Sequence, residues 1–139
     1  MNIHLQIYKE LALSMHCQRY KGTILPAKPL MLIGICNAIE LGCVGDNRIS
    51  INEAESQYRI LQKKYNVKTP FNLPLYFLAS ETFYHIKWKN VQVVTNTPSA
   101  LMLRNNVEYI FLDNLLWDIL QDKTMRDYFR KSIEDYYLK

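Results

Sequence analysis

The sequence has few of the residues that form disulfides and metal sites. Its 139 residues include three cysteines and three histidines. The cysteines are odd in number and form no Cys-x-x-Cys pair, which favours buried reduced thiols over disulfides or zinc. The histidines are scattered, and none is paired with a nearby cysteine or acid at metal-ligand spacing. We therefore expect no metal ion and no other cofactor.

Sequence motifs of enzymes are also missing. There is no Gly-x-Ser-x-Gly element, no phosphate-binding glycine loop and no Cys/His nucleophile arrangement. An HNH nuclease needs metal-binding and base histidines on a ββα unit, and no histidine-rich segment supplies them. We expect a non-catalytic module.

Long apolar segments are absent as well. The longest, Leu30 to Ile35, is much shorter than the roughly 20 residues that a membrane helix needs. The N-terminus has no charged region followed by an apolar one, as a secretory signal would. These two absences predict a cytoplasmic protein that does not associate with membranes.

The composition fits one globular domain. Hydrophobic residues make up 49% of the chain, and a chain of this length forms a single core. We expect residues 1–139 to form one domain, with no room for a nuclease domain. The net charge of +4 permits binding to a polyanion. Basic residues are spread over the first ninety positions and acids concentrate in the last quarter, which predicts a basic face.

Periodicity in the first half predicts three helices. The second, from Pro29 to Leu41 with Gly42 as its stop, is apolar around most of its circumference and should be the central buried helix. Lys28 would then lie at its N-terminus, where a nearby phosphate is favoured. The other elements are a helix over residues 3–19, a short strand over 48–51, and a helix from Glu53 to about Tyr65 that begins with a capping box at Asn52.

The second half centres on a predicted β-hairpin. Aromatic and β-branched runs near residues 75–79 and 83–88 flank a polar turn, and Pro74 would lie at the hairpin rim. Val91 to Thr95 is a candidate third strand, and residues 107–112 fit either a strand or a helix. Three helices are predicted at 97–103, from Asp113 to Gln121, and from Asp122 or Thr124 to Tyr137. The fold class is α+β: a mainly helical single domain with a small β-hairpin or wing, winged-helix-like.

Three segments together resemble a known family. They are Pro74 with its aromatic run, Ser-x-x turn and Phe-aromatic-x-Ile; Ala27-Lys28-Pro29 with the apolar helix after it; and the closing segment from Leu103 to Tyr137. Their order and spacing resemble the N-terminal DNA-recognition domain of bacterial HNH restriction endonucleases. That superfamily includes sulfur-binding domains, which recognise phosphorothioate-modified DNA. The resemblance covers most of residues 5–138.

The resemblance implies a duplex DNA-binding module of a restriction or defence system. Such a module recognises modified DNA, phosphorothioate or methylated, and targets an HNH nuclease in the same or another polypeptide. In sulfur-binding relatives, the proline that matches Pro74 helps form a small apolar pocket for the sulfur. This sequence departs from them at Leu73, where they often carry an aromatic residue, and at Ala27, where they carry a histidine.

We expect eight residues to contact DNA. They are Lys28, Pro74, Leu73, Arg19, Lys21, Arg48, His85 and Lys87. The mechanism would combine phosphate neutralisation with steric testing of one position at the Leu73–Pro74 rim. It requires Lys28 and that rim to converge on one concave patch.

Each of these interpretations has a structural alternative. Lys28 is otherwise a solvated lysine before a helix, and Pro74 merely sets strand register. The hairpin aromatics are either a base-stacking platform or core. The alternative function is a protein-interaction or dimerisation subunit, in which the edge at Val91 to Thr95 docks a partner or a second copy to form a homodimer.

Overall fold

The computed structural model describes residues 2–138, which form an α+β domain dominated by helices. The helices are α1 (Ile3–Leu13), α2 (Ala27–Glu40), α3 (Ile51–Lys64), α4 (Asn72–Phe77), α5 (Ala100–Asn106), α6 (Asn114–Leu120) and α7 (Lys123–Tyr137). The strands are β1 (Arg19–Tyr20), β2 (Thr23–Ile24), β3 (Tyr84–Trp88) and β4 (Val107–Leu112). The predicted fold class is confirmed. Among residues 2–138, no helix has the length and hydropathy needed to cross a membrane.

Helix α2 is the central buried helix, as predicted. Nearly all of its side chains from Pro29 to Ile39 are buried, and it packs against α3, α4 and α7. It ends in a Schellman motif: Gly42, with φ of +74°, donates its N–H to the carbonyl of Ile39, and Cys43 donates to that of Ala38. The helix begins at Ala27, two residues before the predicted start.

Helix α3 packs closely on α2, and Ser50 caps its N-terminus. The Ser50 hydroxyl accepts the N–H of Glu53 at 3.1 Å, so the capping residue is Ser50 rather than the predicted Asn52. Tyr58 is fully buried on the inner face and donates its hydroxyl to the Thr69 carbonyl at 2.6 Å. This bond holds the segment after α3 against the helix.

The predicted first strand of the 72–88 hairpin is wrong. Residues 72–77 are helical, and a 3₁₀ turn continues from Leu78 to Ser80. Pro74 fits there because N–H groups in the first turn of a helix have no intrahelical acceptor. Phe71, Leu75 and Leu78 are buried at i, i+4 and i+7, which is a helical spacing.

The second predicted strand of that hairpin is present, but its partner lies elsewhere. Strand β3 pairs antiparallel with β4, so that Tyr84 faces Leu112 and Trp88 faces Val107. Residues 107–112 are therefore a strand, one of the two structures that their sequence allowed. Residues 91–95 are in no strand, which removes the β edge predicted there.

A second β-hairpin, formed by β1 and β2, lies where the sequence predicted the end of the first helix. Helix α1 stops at Leu13, and the two strands are joined by Lys21 and Gly22. Both joining residues have positive φ, 52° and 80°, as in the type I′ turn that suits two-residue hairpins. The small wing exists, but at residues 19–24 rather than 75–88.

Helix α7 closes the domain over α1 and α2. Asp122 caps it by accepting the Met125 N–H at 2.9 Å, one of the two predicted caps. Its Arg130 donates to Glu40 at 2.8 Å, and Lys123 lies 3.2 Å from the same carboxylate at the end of α2. Hydrogen bonds from Arg130 and Lys123 lower the pKa of Glu40 to about 2.

The variant Glu40→Gln is expected to lower the free energy of unfolding by about 1 kcal/mol at pH 7, a value discounted for the partial exposure of the pair. Because the pKa of Glu40 is depressed from 4.5 to about 2, its stabilisation is present above pH 4.5 and is lost as the pH falls towards 2. Urea denaturation between pH 2 and 7 should show that the free energies of unfolding of the wild type and of Glu40→Gln converge at low pH. Glu108→Gln, at an exposed position on β4, should show no such convergence.

Candidate functional site

A cavity of about 300 Å³ lies beside the first turn of α2 and the first turn of α4. We call it the Lys28 cavity. Lys28 lines it together with Leu73 and Pro74, the two residues of the predicted rim. The remaining lining residues are His16, Cys17, Gln18, Leu25, Ala27, Thr69, Phe77, Ser80 and Asn96. Lys28 and the Leu73–Pro74 rim therefore converge on one concavity, as the predicted binding mechanism requires.

The Lys28 ammonium is not a free surface charge. It donates to the carboxylate of Glu81 at 2.9 Å and to the hydroxyl of Ser80 at 3.1 Å. The Lys28 side chain is 12% exposed and that of Glu81 is 9% exposed. The interpretation of Lys28 as a solvated lysine is therefore wrong, because it belongs to a largely buried ion pair at the cavity.

The wall of the Lys28 cavity that α4 provides is apolar. Pro74 is buried and Leu73 and Phe77 are half-buried around it. Burial raises the pKa of the Cys17 thiol, so this residue remains neutral at physiological pH. The cavity thus offers an apolar patch next to the Lys28–Glu81 ion pair.

The β1–β2 hairpin stands at the edge of the Lys28 cavity. Gln18 and Leu25 line the cavity and close the hairpin base through the N–H of Leu25, which donates to the carbonyl of Gln18 at 2.8 Å. Arg19 and Lys21 are exposed on this hairpin, and the Lys21 ammonium lies 5.4 Å from the centre of the Tyr20 ring. The hairpin therefore carries two exposed cations beside the cavity.

A second groove, of about 390 Å³, adjoins the Lys28 cavity. Phe77 and Ser80 line both, so the two concavities are neighbours. Tyr76, His85 and Trp88 line the second groove. The Tyr76 hydroxyl donates to the Val93 carbonyl at 2.8 Å and accepts the N–H of Thr95 at 3.1 Å, which fixes the loop beyond β3.

The other three predicted contact residues gather on the exposed side of the β3–β4 sheet. His85 stacks near Phe111 with ring centroids 5.0 Å apart, and Lys87 is exposed opposite Tyr109. The Arg48 guanidinium lies 5.7 Å from the centre of the Tyr109 ring. We call these five residues the outer sheet face. It carries cations and aromatic rings, and His85 connects it to the second groove.

His85 is held by a hydrogen-bonded chain that links three elements. Its Nε2 lies 2.5 Å from Asp113 Oδ1, and the Tyr8 hydroxyl donates to Asp113 Oδ2 at 2.9 Å. The pKa of Tyr8 is raised to about 12, mainly by burial of the hydroxyl and in addition by its hydrogen bond to Asp113. Both Asp113 oxygens therefore bind His85 and Tyr8. The Asp113 side chain does not cap α6, contrary to the prediction from the sequence.

Several residues of this region were not predicted from the sequence. Glu81 was not identified because its partner lies 53 positions away and no local pattern signals such a pair. Tyr109 and Phe111 were missed because residues 107–112 fitted either a strand or a helix, and their apolar sequence shows no alternation that would mark an open face. In the described part of the chain, no three His, Cys, Asp or Glu side chains are grouped so as to hold a metal ion.

The chain has the fold of a sulfur-binding domain. Its structure matches the sulfur binding domain of ScoMcrA complexed with phosphorothioated DNA with a TM-score of 0.76, at 11% sequence identity over 94% of this chain and 87% of that one. It also matches a longer chain, the sulfur binding domain and SRA domain of ScoMcrA complexed with phosphorothioated DNA, with a TM-score of 0.77, 11% identity and 94% of this chain covered. This chain spans 42% of that two-domain protein. No protein-family model matches the sequence, and a comparison with curated proteins gives no match.

Proposed function

We propose that this domain binds duplex DNA as a non-catalytic recognition module. The observation that carries the proposal is the position of the Lys28 cavity: a concave, partly apolar site that contains an ammonium group and lies beside an exposed basic hairpin. The domains with the same fold in the two matched structures are complexed with phosphorothioated DNA. Both facts favour a DNA ligand over a protein ligand.

Phosphate contacts would come from the exposed cations on both sides of the cavity. Arg19 and Lys21 lie on the hairpin, and Arg48 and Lys87 lie on the outer sheet face. The Lys28 cavity and the second groove are neighbours that share Phe77 and Ser80, and one strand of a duplex would lie across them. Such contacts position the DNA without reading its sequence.

The Lys28 cavity would read one backbone position. Leu73, Pro74 and Phe77 provide apolar contact, which suits sulfur because it is more polarizable and less strongly hydrated than a phosphate oxygen. We propose that the domain prefers a phosphorothioate at this position. Leu73 keeps the wall apolar, although it lacks the aromatic ring often found there in sulfur-binding relatives.

The biological role that we propose is target recognition in a restriction or defence system. The domain would bring an HNH nuclease, in the same polypeptide or in a partner subunit, to marked DNA. This role rests on the resemblance to DNA-recognition domains of HNH restriction endonucleases. The domain itself would bind without cleaving.

The proposal is tested by measuring the affinity for one duplex in plain, phosphorothioate and base-methylated forms at several salt concentrations. We expect the logarithm of the binding constant to fall with the logarithm of salt concentration, with a slope of about −0.9 for each phosphate neutralised. We also expect the phosphorothioate duplex to bind most tightly. A salt-independent affinity would contradict DNA binding, whereas equal affinities for the three duplexes would contradict only the reading of sulfur.

A protein-interaction function remains the second candidate because α1 exposes an apolar row. Ile3, Ile7 and Leu11 lie at i, i+4 and i+8, and their exposed fractions are 68%, 50% and 37%. This row could bury itself against a partner or a second copy. Association that rises with protein concentration, is insensitive to salt and is abolished by Ile7→Glu would support this candidate. A monomer at high concentration would contradict homodimerisation.

A further inference from the structure

Glu81 is the acidic partner of the Lys28 ammonium at the Lys28 cavity. Its carboxylate Oε2 accepts the Lys28 ammonium at 2.9 Å and the backbone N–H of His16 at 3.2 Å. The side chain is only 9% exposed. The carboxylate thus occupies the place at the Lys28 ammonium that a DNA phosphate oxygen would need.

Two anions cannot share this ammonium without cost. A phosphate that approaches Lys28 would meet the negative charge of Glu81 at close range, where water screens it little. The ammonium has one further acceptor, the hydroxyl of Ser80 at 3.1 Å, so its hydrogen-bonding capacity is already largely used. The contact of an ordinary phosphate with Lys28 is therefore weakened by the protein itself.

We propose that Glu81 is a specificity-determining residue that competes with DNA phosphate for Lys28. This inference rests on the proposed DNA-binding function. Glu81 lowers the affinity for every backbone phosphate placed in the cavity. A sulfur atom placed against the apolar walls at Leu73 and Pro74 depends less on a hydrogen bond from Lys28 than a phosphate oxygen does, so Glu81 subtracts less from its binding free energy. Glu81 thereby increases the discrimination in favour of sulfur.

The variant Glu81→Gln tests this role because glutamine keeps the shape of the side chain and removes its charge. We expect it to bind a plain duplex about tenfold more tightly, since one charged hydrogen bond from Lys28 becomes available to a phosphate. The salt slope should become steeper by about 0.9, corresponding to one additional neutralised phosphate. The gain should be smaller on the phosphorothioate duplex, so the preference for sulfur should fall.

Two further variants separate this effect from a general change in charge. Glu108→Gln removes the same charge at an exposed position on β4 outside the cavity and should leave affinity within about twofold of the wild type. Glu81→Asp keeps the charge and should also bind like the wild type. A gain in either variant equal to that of Glu81→Gln would overturn the inference.

The double variant Lys28→Met with Glu81→Gln identifies the group that Glu81 restrains. We expect the tenfold gain to disappear, because the freed ammonium is then absent. A double variant that binds as tightly as Glu81→Gln would overturn the inference. If the wild type binds DNA and Glu81→Gln leaves affinity and salt slope unchanged, the inference fails while the proposed function stands. If neither protein binds any duplex, the proposed function fails as well.

Discussion

The variant Arg19→Gln with Lys21→Asn is expected to bind duplex DNA about 30-fold more weakly than the wild type. Both side chains are exposed cations on the β1–β2 hairpin beside the Lys28 cavity. Losing two phosphate contacts removes about 2 kcal/mol of binding free energy and makes the salt slope shallower by about 1.8. Asparagine is chosen because Lys21 has a φ of 52°, and Asn-Gly is a preferred sequence for a type I′ turn. Titration by fluorescence anisotropy at several salt concentrations measures both quantities.

A matched control removes the same amount of charge from another surface. Lys123→Gln with Lys131→Gln neutralises two exposed lysines on α7, a helix that packs against α1 and α2 rather than the hairpin. This variant should lose less than threefold in affinity and leave the salt slope nearly unchanged. Equal losses in both variants would mean that net charge, and not the hairpin, governs binding.

The elements that could be predicted are those whose signal is local. Helix α2 combines Pro29 near its start, an apolar run and Gly42 at its end, and all three act within the helix itself. The last helix has a capping aspartate and a regular apolar spacing up to Tyr137. In both cases the preferences of the segment agree with its packing, so the sequence alone was sufficient.

The prediction of a hairpin over residues 72–88 was wrong because the aromatic content of this segment suits both a strand and a helix. Leu75 and Leu78 are buried on one side of a helix, yet the same residues also fit a short strand. The proline did not decide between them, because the first turn of a helix accepts Pro74 as readily as a strand entrance does. The partner of β3 is β4, which the sequence could not indicate because pairing between distant segments is set by tertiary packing.

The β1–β2 hairpin carried a usable signal that was outweighed by helical periodicity. The pair Lys21-Gly22 followed by the β-branched Thr23 and Ile24 is typical of a two-residue turn entering a strand. The apolar spacing that continues to Met15 hid it, since Met15 is buried although α1 has already ended at Leu13.

The candidate site could be predicted only in part, because its local motifs are visible in the sequence and its long-range contacts are not. Lys28 and Pro74 belong to short motifs whose order along the chain is informative, and the structure brings them to one cavity. The ion pair between Lys28 and Glu81 depends on the turn after α4, so it became visible only with the fold. Arg48 was predicted to contact DNA, and the structure places it beside Tyr109 on the outer sheet face, away from the Lys28 cavity lining.

The variant Phe129→Ala is expected to lower the free energy of unfolding by about 4 kcal/mol. Phe129 lies on α7 and is fully buried in the core. Alanine would leave a cavity that the surrounding helices cannot fill without shifting, because α7 is also fixed by the ion pairs of Arg130 with Glu40. Thermal denaturation followed by circular dichroism should show a melting temperature lower by roughly 10–20 °C.

Tyr136→Ala provides the control on the same helix, because Tyr136 is 57% exposed and contacts mainly the ring of Tyr137, at 4.7 Å between centroids. We expect it to cost less than about 1 kcal/mol, the usual size of an aromatic pair. The large difference between the two variants follows from burial, since both remove an aromatic ring from the same element. Similar losses in the two would show that α7 does not close the core as described, and the support of α2, whose first turn positions Lys28, would then have to come from α3 and α4 alone.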